Sequence, residues 1–263
     1  MIVTYAKVRE SSPPATPLKD QWLRLGAAAF DNLTVTAALV LMVAALAFDF
    51  VLTPNITIQV GSETLALPVM RIFYIHVTAA WVAFLAFGLV MLASIAYLAT
   101  RERRWDIYAH ACAEVGFLFC SMVLITGPIW AKPIWGVWWS WDARLTLTLI
   151  LWFIYLAYLM IRAQDLEPEK KARYSAVLGI VGAISIPVNH FSVMIWRTIH
   201  PKPVVLTEQG IGTGLSDPMF LVALGLTFLA LLAAFAALAR QRVVLEELRD
   251  EAERLRFRLD DER

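Results

Sequence analysis

WGVWWSWDARLTLTLILWFIYLAYLMI, residues 135–161, joins a cluster of aromatic rings to a long hydrophobic run through one Asp and one Arg. Four of its first seven residues are Trp. The part from Leu145 onward reads as a helix that is apolar on every side. Such a helix belongs in a membrane or deep in a large core. Whether the chain repeats this run decides the fold.

It does. Of 263 residues, 59% are hydrophobic and 17% charged, against about 45–50% and about 25% in soluble domains. The apolar residues fall into six runs, at 31–53, 69–99, 107–130, 145–163, 173–195 and 218–239. Each approaches or exceeds the roughly 20 residues that cross a bilayer core. The sequence therefore predicts an all-α polytopic membrane protein with six transmembrane helices. Segment 1–30 is expected to be a cytoplasmic lead-in without signal-peptide layout, and 31–239 the membrane domain.

An even number of spans places both termini on one side. Of the 23 Lys and Arg, 18 lie in 1–30, 100–106, 162–173 and 240–263, and 5 in the opposite loops. The positive-inside rule then predicts cytoplasmic termini and an outer-face Trp-rich loop at 130–145. The charged tail, 240–263, carries Leu245, Leu248, Ala252, Leu255 and Leu259 at spacings of 3 and 4. It reads as an amphipathic cytoplasmic helix, either solvated or docking a partner, and too short for a stable coiled coil alone.

Several functions are excluded or disfavoured. Net charge is +1, so no nucleic-acid partner is indicated. No P-loop, GxSxG, HExxH or dinucleotide fingerprint is present, so an enzyme with its own ATPase or covalent catalysis is not expected. Cys112 and Cys120 form neither CxxC nor CxxCH and read as buried thiols. His110 and Glu114 read as a local i, i+4 pair.

Three of the four histidines map to or near the outer side. His76 is eight residues past Pro68, a good first helical residue, and thus roughly 12 Å into span two. His190 is roughly 25 Å along span five from Arg173, near the same outer edge, with Pro187 expected to bend or end the helix. Two imidazoles at one depth suit a metal or both axial positions of a haem. No accompanying Cys or carboxylate cluster suggests zinc. His200 falls in the outer loop and reads as solvated or as a transient ligand.

Five of the ten Trp, namely Trp130, Trp135, Trp138, Trp139 and Trp141, lie within twelve residues. Interfacial anchoring accounts for one or two of them. A shelf for a large planar ligand accounts for the cluster, because indoles offer area and stacking at low rotamer cost. Arg71 and Arg144 are then candidates for carboxylates at the ligand's edge. Arg144 is alternatively an ion-pair partner of Asp142 or an interfacial side chain, and Asp142 alternatively orients a His N–H.

The stretch WGVWWSWDARLT, preceded by TGPIWAKPIWG and flanked by RIFYIHV and PVNHFSVMIWRTIHP, resembles the "WWD" superfamily of cytochrome c maturation, and within it the CcmC family, over about residues 30–240. Val137 departs from it, standing where the family often has Thr. The resemblance implies a bacterial inner-membrane protein that holds haem b on its periplasmic side and presents it to the haem chaperone CcmE. Its other implied partners are CcmD and the ABC unit of CcmA and CcmB, within membrane lipid. It also implies His76 and His190 as axial ligands. Trp135, Trp138, Trp139, Trp141 and Asp142 would form the signature pocket. The rival readings are a bis-His b-type cytochrome subunit linked to quinone, a component of a system II cytochrome c synthase, and a ligand-free scaffold.

Overall fold

The computed structural model describes residues 18–53, 57–60, 63–66, 71–200, 206–207, 210–211 and 218–261, with side chains over 31–260 apart from 254, 257 and the two loop regions 54–70 and 201–217. Most of the lead-in and Pro68 lie outside the described residues. The six expected runs are six helices, each long and apolar enough to cross a membrane. They are α1 (Leu18–Ala47, continued by a π-helical turn Phe48–Leu52), α2 (Ile72–Thr100), α3 (Arg103–Trp135), α4 (Ala143–Ala163), α5 (Pro168–Ile195) and α6 (Pro218–Asp261). Two small antiparallel hairpins were not legible in the sequence: β1 (Thr57–Val60) with β2 (Glu63–Ala66), and β3 (Leu206–Thr207) with β4 (Gly210–Ile211).

α2 is the hub, packed on α3, α5 and α6, while α1 lies on α6 and α4 on α5. Close approach depends on small residues. Ala79, Ala83 and Ala86 of α2 are buried with Ala109 and Ala113 of α3. A Cβ at Gly116 would come 2.8 Å from Phe87, and one at Gly182 would come 2.7 Å from Tyr155. In a membrane, where lipid offers apolar groups as good a home as protein does, such backbone approach drives packing. Phe87 stacks on Tyr155 with ring centroids 3.6 Å apart. The Tyr155 hydroxyl donates to the Gly179 carbonyl at 3.1 Å. Large apolar side chains such as Leu92, Ile125, Phe153 and Val177 are exposed on the outside.

Several boundaries differ from expectation, each for a backbone reason. α3 does not stop at 130. It runs through Pro128 and Pro133 to Trp135, so the ring-rich loop is reduced to about residues 136–142. α5 likewise continues through Pro187. Each Pro removes one N–H from the helix ladder, a loss that membrane helices tolerate where neighbours satisfy the freed carbonyls. What ends α3 is Gly136, at φ +76°, whose N–H reaches the Lys132 carbonyl at 3.0 Å. A side chain there would be strained in the left-handed conformation. α6 runs unbroken from the membrane run into the charged tail, 44 residues in all.

Two polar clusters tie the helices at one end. Asp106 is buried, receives Arg162 Nη1 at 2.7 Å and also pairs with Arg103. Arg103 in turn holds Asp250 of α6 through two bonds of 2.9 Å, and Arg242 of α6 pairs with Glu114. His110 stands 3.5 Å from Glu114, as the i, i+4 spacing predicts, and 3.7 Å from Glu246. Arg240, midway along α6, meets Asp31, midway along α1, at 3.2 Å, so the two helices are also tied by charge.

Candidate haem site at the mouth of the bundle

A cavity of about 510 Å³, counted with its open mouth, lies at the opposite end, between α2, the last turns of α3 and the start of α4. His76, Trp130, Trp135, Trp139, Arg144 and His200 line it. Residues up to 124 positions apart are thus gathered at one place.

His76 is 9% exposed and held on three sides. Its Nδ1 is 2.8 Å from Thr126 Oγ1 of α3. Its ring lies 5.7 Å from that of Trp130. A Cβ on Gly127 would stand 3.3 Å from its Cε1, so the glycine lets the ring lie against α3. Trp130 is buried and continues the wall to Trp135, 5.9 Å away. Both belong to α3 rather than to a loop, because the helix outlasts its two prolines.

Asp142 caps α4: its Oδ1 accepts the Leu145 N–H at 3.0 Å, the habitual role of Asp before a first helical turn. Its Oδ2 accepts the Thr198 hydroxyl at 2.8 Å, and Thr198 Oγ1 accepts the His200 N–H at 3.0 Å. The motif's carboxylate thereby ties the segment after α5 to the start of α4, with His200 at the cavity. Both Asp142 oxygens are engaged, and among the described residues Arg144 makes no ion pair. Its guanidinium lines the cavity instead. Trp139 Nε1 is buried with no acceptor among the described residues.

Other candidates fall elsewhere. Arg71 is not on the lining; it donates to the Phe50 carbonyl and lies 3.5 Å from the Thr53 carbonyl, at the end of the π-helical turn. The same turn carries the buried Asp49, which accepts the Thr227 hydroxyl of α6 at 2.6 Å. Trp138 and Trp141 are exposed, at 59% and 76%. His190 is half-buried, edge-on to Phe191 at 5.2 Å, and outside the lining. Its neighbour Asn189 turns inward instead, donating to Thr148 Oγ1 at 2.9 Å. Sequence reasoning missed Thr126, Thr198 and Asn189 as parts of the site, since each is a small polar residue without periodic signal. His200 is held at the cavity through Thr198, whose hydroxyl bonds Asp142 across 56 residues, a tie no local pattern signals.

The donor set fits a flat, mostly apolar metal macrocycle with anionic groups at its edge. Two imidazoles suit the metal, three indoles the faces and rim, and Arg144 with the Trp139 N–H the anionic edge. No group of three or more His, Cys, Asp or Glu able to hold a bare metal ion occurs among the described residues.

The comparison with known proteins agrees with the motifs. The model of the family described as CcmC, Heme exporter protein C, matches residues 18–256. The Heme exporter protein C of Bradyrhizobium diazoefficiens is 37% identical over 175 residues, 65% of this chain and 66% of that protein. The match therefore spans about two thirds of that relative's length. A putative cytochrome c biosynthesis ccmC-like mitochondrial protein of Marchantia polymorpha is 35% identical over 177 residues, covering 66% and 74%. The Escherichia coli K12 Heme exporter protein C is 30% identical over 175 residues, covering 66% and 70%. On the family model and these relatives together, the chain belongs to the CcmC, heme exporter protein C, family.

Proposed function

We propose that this chain holds haem b in the cavity at the mouth of the bundle and passes it on during cytochrome c maturation. The observation that carries the reading is the convergence of His76 and His200 on one cavity with Trp130, Trp135, Trp139 and Arg144. In this reading His76 and His200 take the two axial positions of the iron. His200 replaces His190, which the motif alone favoured. Arg144 and the Trp139 N–H meet the propionates. The indoles bury part of the macrocycle and exclude water from it.

The haem is cargo. The chain has no CxxCH to bond it covalently, so capture and release depend on ligation and burial. His76 sits on the central helix and His200 on a segment held by Asp142 and Thr198. The first is the fixed ligand, and the second is the one a receiving protein displaces. In this reading both termini are cytoplasmic and the cavity opens on the periplasmic side of the bacterial inner membrane, which the excess of Lys and Arg in the segments on the side of the termini supports. The receiver is the chaperone CcmE, with CcmD and the CcmA–CcmB transporter as the surrounding partners.

The test is haem titration of the purified full chain in nanodiscs, followed by absorption and electron paramagnetic resonance spectra and transfer to CcmE. Wild type and His190→Ala are expected to give a low-spin bis-imidazole spectrum. His76→Ala and His200→Ala are expected to lose it. Wild-type protein that never binds haem, even from haem-replete cells, overturns the reading. Loss of the spectrum in His190→Ala with retention in His200→Ala restores the motif's original pair. Haem retained and reducible by quinol, with no effect on cytochrome c maturation, favours a b-type cytochrome subunit.

A further inference from the structure

Two hydrogen bonds on α3 decide which nitrogen of His76 faces the cavity. Thr126 Oγ1 donates to the Met122 carbonyl at 2.7 Å, one turn earlier in the helix. The same oxygen is 2.8 Å from His76 Nδ1. A threonine hydroxyl has one hydrogen and two lone pairs. With the hydrogen directed to Met122, only a lone pair faces the imidazole, so Nδ1 carries the ring proton and Nε2 keeps its lone pair.

We infer that Thr126 is a positioning residue that holds His76 as the Nδ1–H tautomer, with Nε2 presented to the cavity before any cargo arrives. The inference rests on the reading of His76 as an iron ligand. The reverse arrangement, with Thr126 donating to Nδ1, would put the proton on Nε2 and close the ring to a metal. It would also give up the bond to Met122, a bond that Thr in membrane helices habitually makes. The ring has little room to turn: the Gly127 backbone lies on one side and the Trp130 ring 5.7 Å away on another. An acceptor on the far nitrogen also makes the ligating nitrogen more basic, as outer partners of metal-bound histidines do.

Nitrogen-15 NMR of the full chain in nanodiscs, histidine-labelled and free of haem, reads the tautomer directly, with His76→Gln identifying the signal. Wild type is expected to show a protonated Nδ1 and an unprotonated Nε2. Thr126→Val is expected to lose that preference and to bind haem 10–100-fold more weakly, the usual cost of removing an outer partner. Thr126→Ser should restore both to within a few-fold, and the thermal unfolding of each variant verifies its fold. An Nε2–H tautomer in wild type, or a Thr126→Val variant unchanged in both readouts, overturns the inference. If the tautomers behave as expected but no variant, wild type included, binds haem, Thr126 keeps its role and the haem reading falls.

Discussion

Removing the Asp142 carboxylate should loosen His200 without touching it. Asp142→Ala deletes the cap of α4, worth about 1 kcal/mol, and the acceptor of the Thr198 hydroxyl. A bond to a charged acceptor is worth about 1.5–3 kcal/mol, and partial exposure of Asp142 puts this one near the low end. The two losses together come to about 2.5 kcal/mol, or about a 60-fold shift toward a released segment at 1.4 kcal/mol per tenfold. Thr198→Ala removes the tie and the acceptor of the His200 N–H but leaves the cap, and should cost about tenfold. Asp142→Asn keeps a carbonyl oxygen for Leu145 but sets an amide NH2 where the Thr198 hydroxyl found its acceptor, so it should fall between wild type and Asp142→Ala. Haem affinity is measured by titration, and loosening of residues 196–200 by hydrogen exchange. The double variant Asp142→Ala with Thr198→Ala should cost less than the two losses added, by about 1.5 kcal/mol, because they share one bond. Full additivity, or wild-type affinity in Thr198→Ala, refutes the tie.

The cavity-lining ring separates from the exposed ones: Trp139→Ala should lower haem affinity about tenfold, whereas Trp141→Ala should leave it within about twofold, by the same titration. Gly182→Ala should destabilise the bundle by about 1–3 kcal/mol, since its Cβ would stand 2.7 Å from Tyr155, and thermal unfolding in detergent measures this. Arg162→Ala leaves the buried Asp106 with Arg103 alone and should cost about 3 kcal/mol, read the same way.

Much of this was legible before any coordinates. Hydrophobic runs give six helices because their length and charge content leave no other place for them. His76, Trp130, Trp135, Trp139 and Arg144 were named from residue type and expected depth, and the cavity gathers all five. The misplacements share one cause: depth along a helix does not tell which way a side chain turns. His190 and Asn189 are adjacent, yet Asn189 is the one that bonds inward to Thr148. Arg71 lies near the expected level, but the ends of a π-helical turn offered it carbonyls. Pro187 reads as a bend or an end of its helix and span three reads as stopping at 130, yet α5 and α3 both continue through their prolines, where packing overrides local preference.

α6 has a mechanical consequence. Its 44 residues make a helix about 66 Å long at 1.5 Å per residue, against a bilayer core of about 30 Å. More than half of its length therefore acts as a lever arm outside that core, clamped to the bundle by Arg103 with Asp250 and by Arg242 with Glu114. Beyond the Asp250 clamp about 17 Å of arm remains, so a tilt of about 5° moves the far end by about 1.5 Å. The same leverage works in reverse: a small push on the tip becomes a torque on the packing of α2, α3 and α6.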